Sequence, residues 1–267
     1  MLPICCLICC PSALNPVNFA ALGSYPAASL RSPLQQATAA PFFSIAPGVR
    51  HAAEASCLLR TLGLSGQRGE RTLFQGLDLS FTPGSVVWLR GRNGRGKTTL
   101  LRLLAGLASP LSGEVQIAGR ELRQAGPAWR RHWVYIAHQN ALKDDLTALE
   151  ALRFLADLHG LGADLKQLTH ALQRLGVARS QHALVRTLSQ GQRRRVALAR
   201  LVLSHACPLW LLDEPFDALD SDGIEALNAV IAEHAAAGGC VVLTSHQPLT
   251  LTHPVPTELD LERHAQA

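Results

Sequence analysis

A parallel α/β fold is what this sequence predicts, and three observations predict it. The stretch GRNGRGKTT, Gly91 to Thr99, sets a glycine-rich turn between an apolar run and a segment of helical spacing. Three more short apolar runs each end on polar residues: Trp133 to Ala137 on His138-Gln139, Pro208 to Leu212 on Asp213-Glu214, and Val241 to Thr244 on Ser245-His246. Between these runs lie leucine- and alanine-rich segments of helical period, an alternation that covers a parallel sheet with helices.

Taken in order, residues 1–55 stand apart from the rest. They hold no charge before Arg31 and are broken by Pro3, Pro11, Pro16, Pro26, Pro33, Pro41 and Pro47, so they read as a disordered extension, or as one outside the working protein. Met1 is the only methionine, so a later start would use a non-AUG codon, with Val49 as one candidate. From Cys57 the pattern becomes regular. Leu58 to Leu64 and Thr72 to Phe81 read as two strands of an antiparallel layer, joined by a turn at Gly66 to Gly69. Pro83-Gly84 turns the chain into the strand Ser85 to Leu89, and Leu100 to Leu104 continue the glycine-rich turn as a helix. A short strand, Glu114 to Ile117, leads to a turn at Gly119. Thr147 to about Gly176 reads as helix with breaks at Gly160 and Gly162, and Leu188 to Leu203 as another. A last helix spans about Ser221 to Ala237, and the polar, proline-broken tail from Gln247 has no assignment.

Composition narrows the functions. No run of 18 apolar residues exists, so a transport task would place the pore in another chain. The net charge is +5, but the basic residues form no long patch, which argues against nucleic acid as a partner. Arg193-Arg194-Arg195 would point in different directions on a helix and read as a solvated, partner-facing surface. Cys57, Cys207 and Cys240 sit singly in apolar surroundings, as buried reduced thiols do. Cys5, Cys6, Cys9 and Cys10 lack the second cluster that zinc requires.

The chemistry concentrates at strand ends. A glycine-rich turn leading into a helix N-terminus offers free backbone N–H groups and a positive dipole end to a polyanion. Gly91, Arg92, Asn93, Gly94, Arg95, Gly96, Lys97, Thr98 and Thr99 are the candidate nucleotide-binding residues. Lys97 would reach the β- and γ-phosphates, and the Thr98 hydroxyl would ligate Mg²⁺. Asp213 would bind Mg²⁺ directly or through water, and Glu214 would face the attacking water as general base.

In this order the motifs resemble those of the ATP-binding-cassette (ABC) ATPases: the P-loop, Gln139 after a strand, Leu188-Ser189-Gln190-Gly191-Gln192, Asp213-Glu214, Leu219-Asp220, and His246 after the last strand. The resemblance covers about Cys57 to Pro248. It implies an α/β P-loop NTPase cassette over residues 56–250, with a RecA-like core, an antiparallel β subdomain and an inserted α-helical subdomain at about 140–190, followed by a tail at 251–267. It further implies ATP and Mg²⁺ as cofactors, and two cassettes sandwiching two ATP molecules head to tail. Ser189 and Gly191 would then bond the γ-phosphate held by the partner cassette's P-loop. Gln139 would contact Mg²⁺ and water and sense a membrane subunit, His246 would hold the attacking water, and Asp220 would link the two sites. Two departures stand out: Gln190 replaces the commoner glycine, and no tyrosine lies near Arg68 to Thr72, leaving aliphatic contacts or Arg71 for adenine.

Within the family, the sequence is similar to the small haem-export cassettes of cytochrome c maturation. LSQGQRRRVALARL at Leu188 to Leu201, Trp210, DEPFDALD at Asp213 to Asp220 and LTSHQPL at Leu243 to Leu249 carry that likeness, with the compact length and the missing aromatic. It implies a homodimer of cassettes paired with a separate transmembrane permease, peripheral on the cytoplasmic side of the inner membrane, with haem not bound by this chain. The ATPase of another small-molecule exporter and a soluble ABC protein without a permease are the alternatives.

Overall fold

The computed structural model describes residues 57–124 and 132–264. The expectations for residues 1–55, the first four cysteines and the alternative start at Val49 fall outside them.

Two sheets build the described residues. The first is antiparallel, of order β2-β1-β4-β5, from β1 (Leu59–Arg68), β2 (Arg71–Phe81), β4 (Ser112–Ile117) and β5 (Arg120–Glu121). The hairpin turn is tighter than expected, with Arg68 paired to Arg71. The second is parallel, of order β6-β7-β8-β3-β9, from β3 (Val86–Arg90), β6 (Trp133–Ile136), β7 (Leu209–Leu212), β8 (Cys240–Thr244) and β9 (Thr257–Asp260). The unassigned tail thus supplies an edge strand, which places Glu258 opposite Trp88 of β3.

Strand β7 shows how the core is divided. Its side chains alternate across the sheet. Trp210 and Leu212 join a cluster with Leu152, Leu172, Val196 and Ile231, while Leu209 and Leu211 join one with Leu59, Phe74, Leu100 and Leu104. A strand covered on both faces reads as a continuous apolar run, which is why LWLL was legible as strand.

The helices are α1 (Lys97–Leu104), α2 (Ala148–Leu158), α3 (Leu165–Arg174), α4 (Gln190–Leu203) and α5 (Ser221–Ala236). The helical stretch expected from Thr147 to Gly176 breaks where expected into two helices, with Gly160 and Gly162 at left-handed φ values of 67° and 56° between them. Capping boxes start α2 at Thr147 with Glu150, α3 at Asp164 with Gln167, and α4 at Ser189 with Gln192. Cys207 and Cys240 are buried thiols, and Cys57 is half-buried. Among the described residues no helix is long and apolar enough to cross a membrane.

Candidate functional site

Every strand of the parallel sheet except edge strand β9 delivers a site residue at its carboxyl end, the edge at which open α/β sheets bind ligands. After β3 the chain turns through the glycine-rich loop into α1. Gly96 caps that helix with φ 101°, and a Cβ there would press to 3.1 Å on Leu73 and Phe74, so the position admits only glycine. Lys97 folds back across the loop, its Nζ donating to the Gly91 carbonyl at 2.6 Å. The first-turn N–H groups of α1 have no intrahelical acceptors, which leaves them for an anion.

The ends of β7 and β8 are stitched together through Thr244. Its hydroxyl donates to Asp213 Oδ1 at 3.1 Å and accepts from the Glu214 N–H at 2.8 Å. The Thr98 hydroxyl donates to the same Asp213 oxygen at 3.1 Å. Glu214 has a left-handed backbone, φ 48°, uncommon for a residue with a Cβ. Its carboxylate accepts from the His246 N–H at 3.0 Å, and the His246 ring Nε2 lies 3.4 Å from the other oxygen. Burial pushes the Glu214 carboxyl above the usual carboxylate range, while His246 and Lys97 pull it back and Asp217 adds to the rise.

A cavity of about 470 Å³ gathers most of the expected residues: Arg92, Asn93, Gly94, Gly96, Lys97, Thr98 and Thr99 of the loop, with Gln139, Asp213, Glu214 and His246. Arg68 and Leu73 line it too, whereas Arg71 does not. Gln139 also lines a second, larger cavity of about 1200 Å³, between Leu107 to Pro110 and the end of α2. Ser189, Gly191 and Asp220 lie outside the first cavity. Ser189 caps α4, Asp220 caps α5, and a Cβ on Gly191 would sit 2.7 Å from the Ala218 carbonyl.

One expectation is corrected. Arg194 and Arg195 are not a solvated surface: they are 2% and 9% exposed. Helix α4 is enclosed by its neighbours, so residues pointing in different directions still point into protein. Arg194 donates to the carbonyls of Ala137 and His138 before Gln139, to the Asn140 side-chain oxygen after it, and to the carbonyls of Asp213 to Pro215. Arg195 pairs with Asp220 and donates to the Leu175 carbonyl at 3.2 Å. Sequence reasoning missed Arg194 and Thr244 as site residues. For Thr244 a signal existed, since it is the one polar residue in an otherwise apolar strand, CVVLT.

The model of the ABC transporter family matches residues 74–217. The cytochrome c biogenesis ATP-binding export protein CcmA of Aromatoleum aromaticum is 44% identical over 215 residues, covering 80% of this chain and 96% of that protein. The protein of the same description from Pseudomonas aeruginosa is 45% identical, over 73% of this chain and 95% of that one. Among solved structures, a dimeric ATP-binding cassette in a post-hydrolysis state, bound to ADP and Pi, aligns with TM-score 0.63 at 26% identity, covering 71% of this chain and 88% of that one.

Proposed function

This chain belongs to the ABC transporter family, among the cytochrome c biogenesis ATP-binding export proteins, and we propose that it hydrolyses ATP to power haem export or release to the periplasm. One observation carries the catalytic part: Lys97, Thr98, Asp213, Glu214 and His246 converge on one cavity, with the Glu214 carboxylate held by His246. In this reading Lys97 and the N–H groups of the loop bind the phosphates, Glu214 takes the proton of the attacking water, and His246 and Gln139 hold that water.

The donor set at the cavity fits Mg²⁺. The Thr98 hydroxyl, the Asp213 carboxylate and the Gln139 amide are hard oxygen donors, and Mg²⁺ usually takes one or two carboxylates together with substrate phosphates. When bound, it would neutralise developing phosphate charge.

Ser189, Gly191 and Asp220 lie outside the cavity, and this is what supports a second cassette. A head-to-tail partner would present its own capped α4 N-terminus to this nucleotide, while this chain's Ser189 serves the other. The transmembrane permease of cytochrome c maturation would seat in the cavity of about 1200 Å³, which shares Gln139 with the nucleotide cavity. The cassette would then lie peripherally on the cytoplasmic face of the inner membrane, without binding haem itself.

The test is covalent haem staining of periplasmic proteins in a strain lacking this gene, complemented with wild type or with Lys97→Ala. Holo-cytochromes c restored by wild type alone are expected. Normal staining in the uncomplemented strain would overturn the maturation role, and restoration by Lys97→Ala would overturn its need for ATP.

A further inference from the structure

Helix α4 buries three arginines, and each fastens a different part of the molecule. Arg195 holds Asp220 and the end of α3. Arg200 donates to the Tyr135 carbonyl at 2.8 Å. Arg194 alone reaches two loops that line the nucleotide cavity. Its Nη1 donates to the carbonyls of Ala137 at 2.9 Å and His138 at 3.3 Å and to Asn140 Oδ1 at 3.0 Å. Its Nη2 donates to the carbonyls of Asp213 at 3.0 Å and Glu214 at 2.7 Å, and its Nε to that of Pro215 at 3.3 Å.

Three features give this fan a purpose beyond packing. All six acceptors are carbonyl or amide oxygens, so a guanidinium that is only 2% exposed bonds to no carboxylate directly, and the carboxylates of Asp217, Asp213 and Glu214 favour its charge only through space. An apolar side chain of similar volume would fill the same space without desolvating a charge. Next, the acceptors at residues 138 and 140 flank Gln139, the backbone held at the His138 carbonyl and the Asn140 side chain held at its Oδ1, while the Gln139 side chain stays exposed to the cavity. Finally, Glu214 has a left-handed backbone, and such a conformation persists where surrounding groups over-determine it. Here Thr244 holds its N–H and Arg194 its carbonyl.

We propose that Arg194 is a positioning residue for ATP hydrolysis, locking the Gln139 loop and the Glu214 turn to one another through a single guanidinium on the helix that Ser189 caps. It touches no nucleotide, and it fixes the separation between the base and the amide that hold the attacking water. Lysine cannot replace it, since an ammonium has three donors on one centre where the fork spans both loops. The proposal rests on the reading of this cavity as an ATPase site.

The experiment is steady-state ATPase kinetics on the full chain carrying Arg194→Lys, Gln139→Ala or both, with Arg194→Met and Glu214→Gln alongside and melting temperatures for each. Arg194→Lys is expected to lower kcat by about 10- to 100-fold through misplacement of the reacting groups. Its KM for ATP stays within about 3-fold, the pattern of an interaction realised in the transition state. In the Gln139→Ala background the same substitution costs at least about 5-fold less, because contacts acting as a unit are not additive. A raised KM with kcat intact, or additive losses, would overturn the proposal. If Arg194→Met does not fold, Arg194→Lys and the cycle decide alone. Full activity in Glu214→Gln would sink the hydrolysis reading instead, whereas an inactive Glu214→Gln beside a normal Arg194→Lys sinks only the role of Arg194.

Discussion

Glu214 combines a left-handed backbone with a carboxylate that burial has drawn away from water. Both follow from its place, two residues beyond a fully buried strand, where the chain must turn while its side chain stays at the sheet edge. Glu214→Gln keeps the shape and removes the base, so ATP still binds while kcat falls by about 10²- to 10⁴-fold. Gel filtration then shows an ATP-dependent dimer, and an active mutant would remove Glu214 as base. The raised carboxyl also fixes a sign. The working form is the carboxylate, and its folded-state titration lies above the ordinary range, so activity declines on acidification at a higher pH than an ordinary glutamate would set. The acid limb of kcat against pH should therefore have its midpoint above about 4.3, the ordinary glutamate value, and a midpoint at or below it contradicts this assignment. Lys97, Thr98, Asp213, Glu214 and His246 were legible in the sequence because each lies at a fixed offset from a recognisable strand or turn. Thr244 left only the signal of a polar residue ending an apolar strand, because what its hydroxyl does is decided where the ends of two strands meet.

At the scale of elements, α4 shows how far periodicity reaches. Its limits were legible from the serine cap and the apolar spacing, but its amphipathicity was not, since an enclosed helix has no polar face for charges to mark. What decided the burial of Arg194 and Arg195 was the pair of loops and the helix end that need donors, all distant in sequence. The packing of α5 on β7 carries a different charge problem. His234, 4% exposed, stacks on Trp210 with ring centroids 3.6 Å apart and planes inclined by 2°. Burial, with His205 beside it, pushes the imidazole down to about 4 from its ordinary 6.5. The unfolded chain thus binds the proton first. Stability from this group is complete above pH 6.5 and lost as the pH falls towards 4, by on the order of 3 kcal/mol. Denaturant melts of wild type and His234→Phe at pH 7 and pH 4.5 test this. The wild type should lose more stability between the two than the variant, and equal losses would place the acid sensitivity elsewhere.

For the whole molecule, the order of strands along the chain was legible, but their order in space was not. Edge strand β9 comes from a proline-broken tail without alternation, and it forms because β3 still offers a free edge and because Leu261 beyond it is fully buried in the core. The same tail reaches the nucleotide loop, with the Arg92 N–H donating to the Glu262 carboxylate at 3.0 Å. A related limit applies to the site itself. The capped N-terminus of α4 and the glycine-rich loop both present a helix N-terminus, yet Ser189 and Gly191 lie outside the cavity that Lys97 lines. On the proposed reading a single chain holds two halves of different sites, and a two-fold dimer would complete both at once. Mixing follows from this geometry. Lys97→Ala and Ser189→Arg homodimers each have two damaged sites and should both be inactive. In a mixed dimer one site collects both lesions, while the other combines an intact Lys97 with an intact Ser189. Statistical exchange makes half the dimers mixed, each with one sound site, so about a quarter of wild-type turnover should return if the two sites work independently. Less would return if hydrolysis at one site requires ATP at the other. A mixture no more active than its parents, with exchange confirmed by differently tagged chains, would show that Ser189 does not complete its partner's site.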